Sequence, residues 1–123
     1  MAIEGFTDLE AWQEGHKLVL QIYRATKDFP KEEMFGIVSQ IRRAAASVTA
    51  NIAEGYGRFH FKDKNNFYFH ARGSLCETES FLILAKDLKY LKEEEFDRIF
   101  MQVMRVGQLL KGMISSVRRE LAK

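Results

Sequence analysis

The chain has 123 residues, 46% hydrophobic and 29% charged, which suits one domain with its own core and excludes a disordered polyelectrolyte. A formal net charge of +2 is too small to argue for nucleic acid by itself, and the lone cysteine, Cys76, excludes an internal disulfide. The N-terminus lacks the basic start and apolar run of a secretion signal, and no apolar run approaches a membrane span, so a cytoplasmic protein of bacterial type is expected, with no membrane partner.

One proline and long runs of 3.6-residue periodicity predict an all-helical chain. The first helix opens at "TDLEAW", where Thr7 suits an N-cap and Glu10, three residues on, completes a capping box. Leu9, Trp12, His16, Val19, Tyr23 and Thr26 follow on one face, which sets His16 near the core. "KDFPKEE" breaks the pattern. Pro30 fits the first position of a second helix, and Glu32 and Glu33 suit its positive N-terminus. That helix runs to about residue 56. "GYGRFHFKD" is the next break, with Asp63 as a cap, and a third helix covers roughly residues 64–88. After "KYLKEEEF" a fourth helix runs from about residue 94 to near the C-terminus. Four long helices with short connections predict an up-down-up-down antiparallel four-helix bundle, one domain over residues 1–123.

The second helix has an unusual surface. Met34, Ile37, Val38, Ile41, Ala44, Ala45, Val48, Ile52 and Gly55 form its core stripe. Beside them Gln40, Arg43, Ser47, Asn51, Glu54 and Arg58 stack at steps of three and four as a polar ladder. On the other edge lie Ala46, Thr49, Ala50 and Ala53, small enough for another backbone to approach. The third helix buries Phe67, Ala71, Ser74, Leu75, Thr78, Leu82 and Ala85, and carries a second stripe of Phe69, Gly73, Cys76, Ser80 and Ile83. A bundle needs one buried face per helix, so the extra faces call for a partner, most simply another copy of the chain.

The charges on these helices read first as structure. Glu77 and Glu79 straddle the core stripe of the third helix, and Arg42 and Arg43 that of the second. Arg43 with Glu77, and Arg58 with Glu54, are expected to pair across helices or subunits and fix register. The alternative, a metal or acid–base cluster of Glu54, Glu77 and Glu79, lacks the Glu-x-x-His motif of di-metal bundles. His16, His60 and His70 are scattered, no zinc spacing is present, and "GYG" is not a phosphate loop. No catalytic residue, cofactor or metal is expected.

Residues 56–72, "YGRFHFKDKNNFYFHAR", interleave Tyr56, Phe59, Phe61, Phe67, Tyr68 and Phe69 with Arg58, Lys62, Lys64 and Arg72. Aromatics beside cations stack bases and contact phosphates. In the plainer reading Phe59 and Phe61 plug the bundle end and the lysines are merely solvated. The last segment, residues 98–123, holds six basic residues (Arg98, Arg105, Lys111, Arg118, Arg119, Lys123) and one acid, Glu120, so its outer face is a second candidate surface.

The pieces "DLEAWQEGHKLVLQIYRATKDFP", "QIRRAAASVTANIAEGYGR", "ARGSLCETES" and "LAKDLKYL" resemble, nearly end to end, the family named after proteins encoded in intervening sequences of bacterial 23S ribosomal RNA genes. The residues that match its motif are Gln40, Arg42, Arg43, Ala44, Ser47, Asn51, Ile52, Glu54, Gly55, Gly57, Arg58, Gly73, Ser74, Leu75 and Glu77. Val48 and Thr49 depart from it conservatively. Lys89 stands where a glycine is common, so the exit from the third helix is expected to differ. The resemblance implies an antiparallel bundle assembled into a homo-oligomeric ring, a pentamer, without enzymatic activity; the family's role is poorly defined and only loosely linked to ribosomes or RNA. A similar fold occurs in accessory proteins of diversity-generating retroelements, basic pentamers that bind a reverse transcriptase and nucleic acid. Two functions follow as expectations: binding of RNA or a ribonucleoprotein through the basic rim, or a scaffold for a protein such as a reverse transcriptase.

Overall fold

The computed structural model describes residues 2–123. Its long helices are α1 (Glu10–Thr26), α2 (Ser39–Tyr56), α3 (Phe61–Asp87) and α4 (Glu93–Leu121), and the described residues contain no strand. No helix is long and apolar enough to cross a membrane.

Each helix buries one stripe. In α4 it is Phe96, Ile99, Val103, Val106, Leu110, Ile114 and Val117; in α1 it is Ala11, Gly15, Leu18, Ile22, Ala25 and Thr26. Steps of three and four put each set on a single face. The stripes merge into a core shared by all four helices, and Tyr68, Ile114 and Val117 close one end. Helix α1 lies against α2 and α4, and α3 against α2 and α4, with the α2–α3 seam the most extensive. Across that seam Ser47 meets Ser74. Across α1 and α4, Glu14 meets Gln102 and Glu10 meets Arg105, so numbers rise on one helix as they fall on its neighbour.

Two glycines set how closely the helices approach. A Cβ on Gly15 would lie 3.0 Å from the Thr49 methyl, so α1 sits directly on this part of α2. A Cβ on Gly55 would lie 2.6 Å from the Tyr68 ring and 3.1 Å from the Lys64 carbonyl. The small edge of α2 expected to receive another chain is thus partly covered, at Thr49, by α1 of the same chain. Ala50 stays exposed.

The helix starts differ from the expectation. A 3-10 turn, Phe6–Asp8, precedes α1, and the Asp8 carboxylate accepts the backbone N–H groups of Glu4 and Gly5 at 2.9 and 3.3 Å. Leu9 holds the N-cap position, so Thr7 caps nothing and its box with Glu10 does not form. His16 is exposed and stacks on Trp12, with ring centroids 4.9 Å apart, rather than lining the core. Pro30 is extended and stands outside α2. A 3-10 turn, Lys31–Glu33, and the segment Met34–Val38, kinked at Gly36 (φ −107°, ψ −118°), lead into it. The kink takes Met34 out of its expected core place to 52% exposure, and leaves Phe35 94% exposed. Helix α3 starts at Phe61 after an extended His60, which places Asp63 inside the first turn rather than at the cap. Its buried stripe is Asn65, Tyr68, Ala71, Leu75, Thr78, Leu82 and Ala85. Tyr68, not Phe67, fills the aromatic core position, because Gly55 leaves a seat for its ring.

The exit from α3 keeps a glycine-type cap despite Lys89. The Tyr90 N–H donates to the Ala85 carbonyl and the Lys89 N–H to the Lys86 carbonyl, both at 2.9 Å, while Lys89 itself takes φ 64°. This is a Schellman closure with a lysine in the left-handed position.

Candidate functional site

The polar ladder of α2 faces α3. Ser47 and Ser74 share a hydrogen bond of 2.8 Å between hydroxyls, and the Asn51 amide donates to the Ser47 hydroxyl at 3.0 Å and carbonyl at 2.8 Å. Gln40, Arg43, Ala46, Ala50 and Glu77 border a recess of about 510 Å³ on this seam. Next to it, His70 and Gly73 join Ser47, Asn51, Ser74 and Glu77 around a second recess. Arg43 and Glu77 thus share a border, but among the described residues they form no ion pair. Glu54 and Arg58 pair at 3.1 Å, but four residues apart at the end of α2 rather than across helices or subunits, and the Arg58 guanidinium also lies 4.6 Å over the Phe67 ring.

Arg42 leaves the ladder for α1. Its Nε donates to the Thr26 hydroxyl at 2.9 Å, its Nη2 approaches the Tyr23 carbonyl at 3.4 Å, and its guanidinium lies 4.5 Å over the Tyr23 ring. This tie belongs to the inside of one chain. The three expected carboxylates are also dispersed: Glu54 holds Arg58, Glu77 faces α2, and Glu79 lines the opposite groove. Among the described residues no group of three His, Cys, Asp or Glu side chains is placed to hold a metal ion.

That groove, between α3 and α4, has a volume of about 410 Å³. Leu75, Val103, Met104 and Ile114 make its apolar floor, and Arg72, Lys111 and Arg118 bring three cations to it against one acid, Glu79. Arg72 and Arg118 lie over the Phe69 ring at 5.2 and 5.5 Å. Cys76, on its border, is a free exposed thiol.

The remaining basic residues divide by role. Lys64 donates to the Tyr56 carbonyl at 2.7 Å and the Gly55 carbonyl at 3.4 Å, so it serves the C-terminus of α2. Burial pushes its ammonium below the ordinary lysine value. Arg105 pairs with Glu10 at 2.7 Å on the α1 side. Lys62 and Arg119 are exposed and, among the described residues, unpaired. Arg118 and Arg119 form the last turn of α4, which ends beside the α2–α3 connection, as the Asn65–Ile114 hydrogen bond and the Arg118–Phe69 contact place it. Phe59 stands in that connection 90% exposed, so it does not plug the bundle. One end of the molecule therefore carries a bare aromatic ring next in the chain to Arg58 and three residues from Lys62, with Arg119 on the helix that ends there.

Sequence reasoning missed three features. The Met34–Phe35 projection depends on a kink, for which the glycine at its centre, Gly36, is the available signal. The Gly15 contact was marked by a glycine inside an otherwise regular helix. The buried Asn65, whose Oδ1 lacks a partner among the described residues while its amide donates to the Ile114 carbonyl at 3.3 Å, had no sequence signal.

No curated protein sequence matches the chain. A solved structure of a protein of unknown function from the S23 ribosomal protein family of Bacteroides thetaiotaomicron VPI-5482 superposes with a TM-score of 0.76 at 23% identity, over 85% of this chain and 97% of that one, which shows a shared fold. Residues 7–112 match the family described as 23S rRNA-intervening sequence protein. That match spans the four-helix core and the whole α2–α3 seam, and the chain belongs to the 23S rRNA-intervening sequence protein family.

Proposed function

We propose that the chain is a non-enzymatic up-down-up-down bundle that assembles with copies of itself into a ring, a pentamer, and binds RNA at its basic end. The observation that carries the RNA reading is Phe59, 90% exposed beside Arg58 and Lys62 at the end where α4 contributes Arg118 and Arg119. An aromatic face among cations stacks an unpaired base while the cations neutralise phosphates. Assembly is supported by the outer stripe of α3, where Gly73, Cys76, Ser80 and Ile83 are all exposed, and by the recesses on the α2–α3 seam.

Fluorescence anisotropy with a structured RNA carrying a single-stranded loop tests the binding. Affinity is expected to fall with salt, by a slope of about 0.7 to 0.9 per phosphate neutralised. Lys62→Glu with Arg118→Glu and Arg119→Glu is expected to flatten that slope by two or more, and Phe59→Ala to weaken binding about five-fold or more, from roughly 1–3 kcal/mol of base stacking. Affinity and slope unchanged in both variants overturn the reading.

A protein scaffold, for a reverse transcriptase or another partner, is the second reading. It is favoured by Met101 and Met104, 73% and 50% exposed on α4, since flexible thioethers suit adaptable protein contacts. A purified partner that binds Met101→Asp as tightly as the unaltered chain counts against it.

A further inference from the structure

The Met34–Phe35 tip and the α3–α4 groove lie on different surfaces and complement each other. The tip is held out by a definite structure. It stands beside the kink at Gly36, and the preceding Glu33 accepts a 2.8 Å hydrogen bond from the Tyr90 hydroxyl. That bond ties the turn to the α3–α4 connection, so Phe35 is projected rather than loose. An aromatic ring 94% in water at the end of a braced turn is poorly placed in an isolated chain, because it forfeits burial of some 150–250 Å². The groove offers what it lacks: about 410 Å³ over Leu75, Val103, Met104 and Ile114. Charge complementarity rests on Glu32, which is exposed beside the tip, because Glu33 is engaged by Tyr90 and Lys27, Lys31 and Arg42 line the recess on the inner side of Met34; at the groove Arg72, Lys111 and Arg118 meet only Glu79.

We propose that Met34 and Phe35 of one copy seat in the α3–α4 groove of the next copy, with Glu32 facing the groove's cations. The inference rests on the ring assembly above and says which surfaces build it. Tip and groove are different patches, so the contact is heterologous. Repeated with a closing rotation it fills every groove with a neighbour's tip and leaves neither surface open, as a ring requires. Of the outer stripe of α3 only Cys76 borders this groove, so the contact covers one edge of that stripe. Phe59, Lys62 and Arg119 stay outside the contact, whereas Arg118 lines the groove, so Phe59→Ala and Lys62→Glu read RNA binding apart from assembly.

The test uses the full chain and light scattering coupled to size exclusion. Phe35→Asp removes the tip, and Met104→Arg, at an exposed groove position, blocks the groove; circular dichroism and a thermal melt check that each folds. The unaltered chain is expected to be oligomeric, and each variant to dissociate at concentrations at least about thirty-fold higher, the loss of a central aromatic anchor. Mixing the two variants is the decisive arm. One intact tip and one intact groove then remain available, on different chains, and a one-to-one heterodimer is expected. An unaltered chain that is monomeric at micromolar concentration overturns both the ring and this contact. An oligomeric chain whose variants keep its mass overturns this contact and leaves the ring standing. Monomeric variants that stay monomeric on mixing also overturn it, because the interface they disrupt is then not tip in groove.

Discussion

Gly55→Ala adds one methyl group where α2 and α3 come closest. Its carbon would lie 2.6 and 2.9 Å from Cε1 and Cδ1 of Tyr68, and 3.1 Å from the backbone carbonyl oxygen of Lys64. Ordinary contact begins near 3.4 Å, so the ring edge must retreat by 0.8 Å (3.4 minus 2.6). Tyr68 is only 4% exposed and packs on Ile114 and Val117, so it has little room to move. The Lys64 carbonyl belongs to the first turn of α3 and moves only with the helix. Overpacking of this kind costs about 1–3 kcal/mol. Alanine returns up to about 1 kcal/mol of helix propensity, less near a helix end. The expected net loss is about 1–2 kcal/mol, or a midpoint lowered by roughly 4–8 °C in a chain of this size. Thermal melts followed by circular dichroism measure it. Gly112→Ala is the control, since nothing lies within 4 Å of its Cβ position, and it is expected to stabilise slightly. Tyr68→Phe retains both clashing carbons and the full cost, whereas Tyr68→Leu reduces the increment. If Gly55→Ala and Gly112→Ala shift the midpoint alike, the close-approach account of α2 and α3 is refuted.

Lys89→Gly is expected to raise stability by about 1 kcal/mol, because a lysine at φ 64° bears a cost that glycine does not; chemical denaturation reads the change. Arg42→Ala removes a charged hydrogen bond to Thr26 and the contact with Tyr23, and is expected to cost about 1.5–3 kcal/mol while leaving oligomer mass unchanged, as light scattering would report. Hydrogen bonds from Lys17 and then Gln102 hold the Glu14 carboxyl below its ordinary value near 4.5. Its contribution to stability is therefore present above that value and lost as pH falls through the lowered one, so Glu14→Gln is expected to flatten the acid limb of a stability–pH curve. Hydrogen bonding to Glu33, followed by burial, raises the Tyr90 hydroxyl, whose contribution is complete below pH 10 and lost at higher pH. Tyr90→Phe is expected to remove that alkaline loss.

The helix spans were legible from their period, which also located Val48, Ile52, Leu75 and Leu82 in the core, but on α1 it chose the face of Trp12, Val19 and Tyr23 where Gly15, Leu18 and Ile22 are buried. The ends were not. Thr7 and Asp63 are good capping residues, but a cap forms only where the chain turns, and tertiary packing moved both turns. Met34 fitted the core stripe under a period of 3.6 and left it because the chain kinks at Gly36 between it and α2. At the basic end, composition identified the segment but not the allocation of its cations. Lys64 and Arg58 look alike in sequence to Lys62 and Arg119. The first pair serves a helix terminus and a Glu54–Phe67 contact, the second faces water. Only the relative placement of α2, α3 and α4 decides that.

The seam between α1 and α4 joins parts of the chain that are far apart. Its hydrogen bonds link residues separated by 88 and 95 positions, while Ser47 and Ser74 on the α2–α3 seam are 27 apart. Closing the longer loop costs about 1 kcal/mol more in chain entropy. The α2–α3 hairpin, with the most extensive packing, and the α1–α2 pair, tied by Arg42 across 16 and 19 positions, are thus expected to form early, and the α1–α4 seam to close last. Partial openings that part α1 from α4 should then leave the α2–α3 seam protected against amide exchange, giving the molecule a fast-opening side opposite its most persistent one.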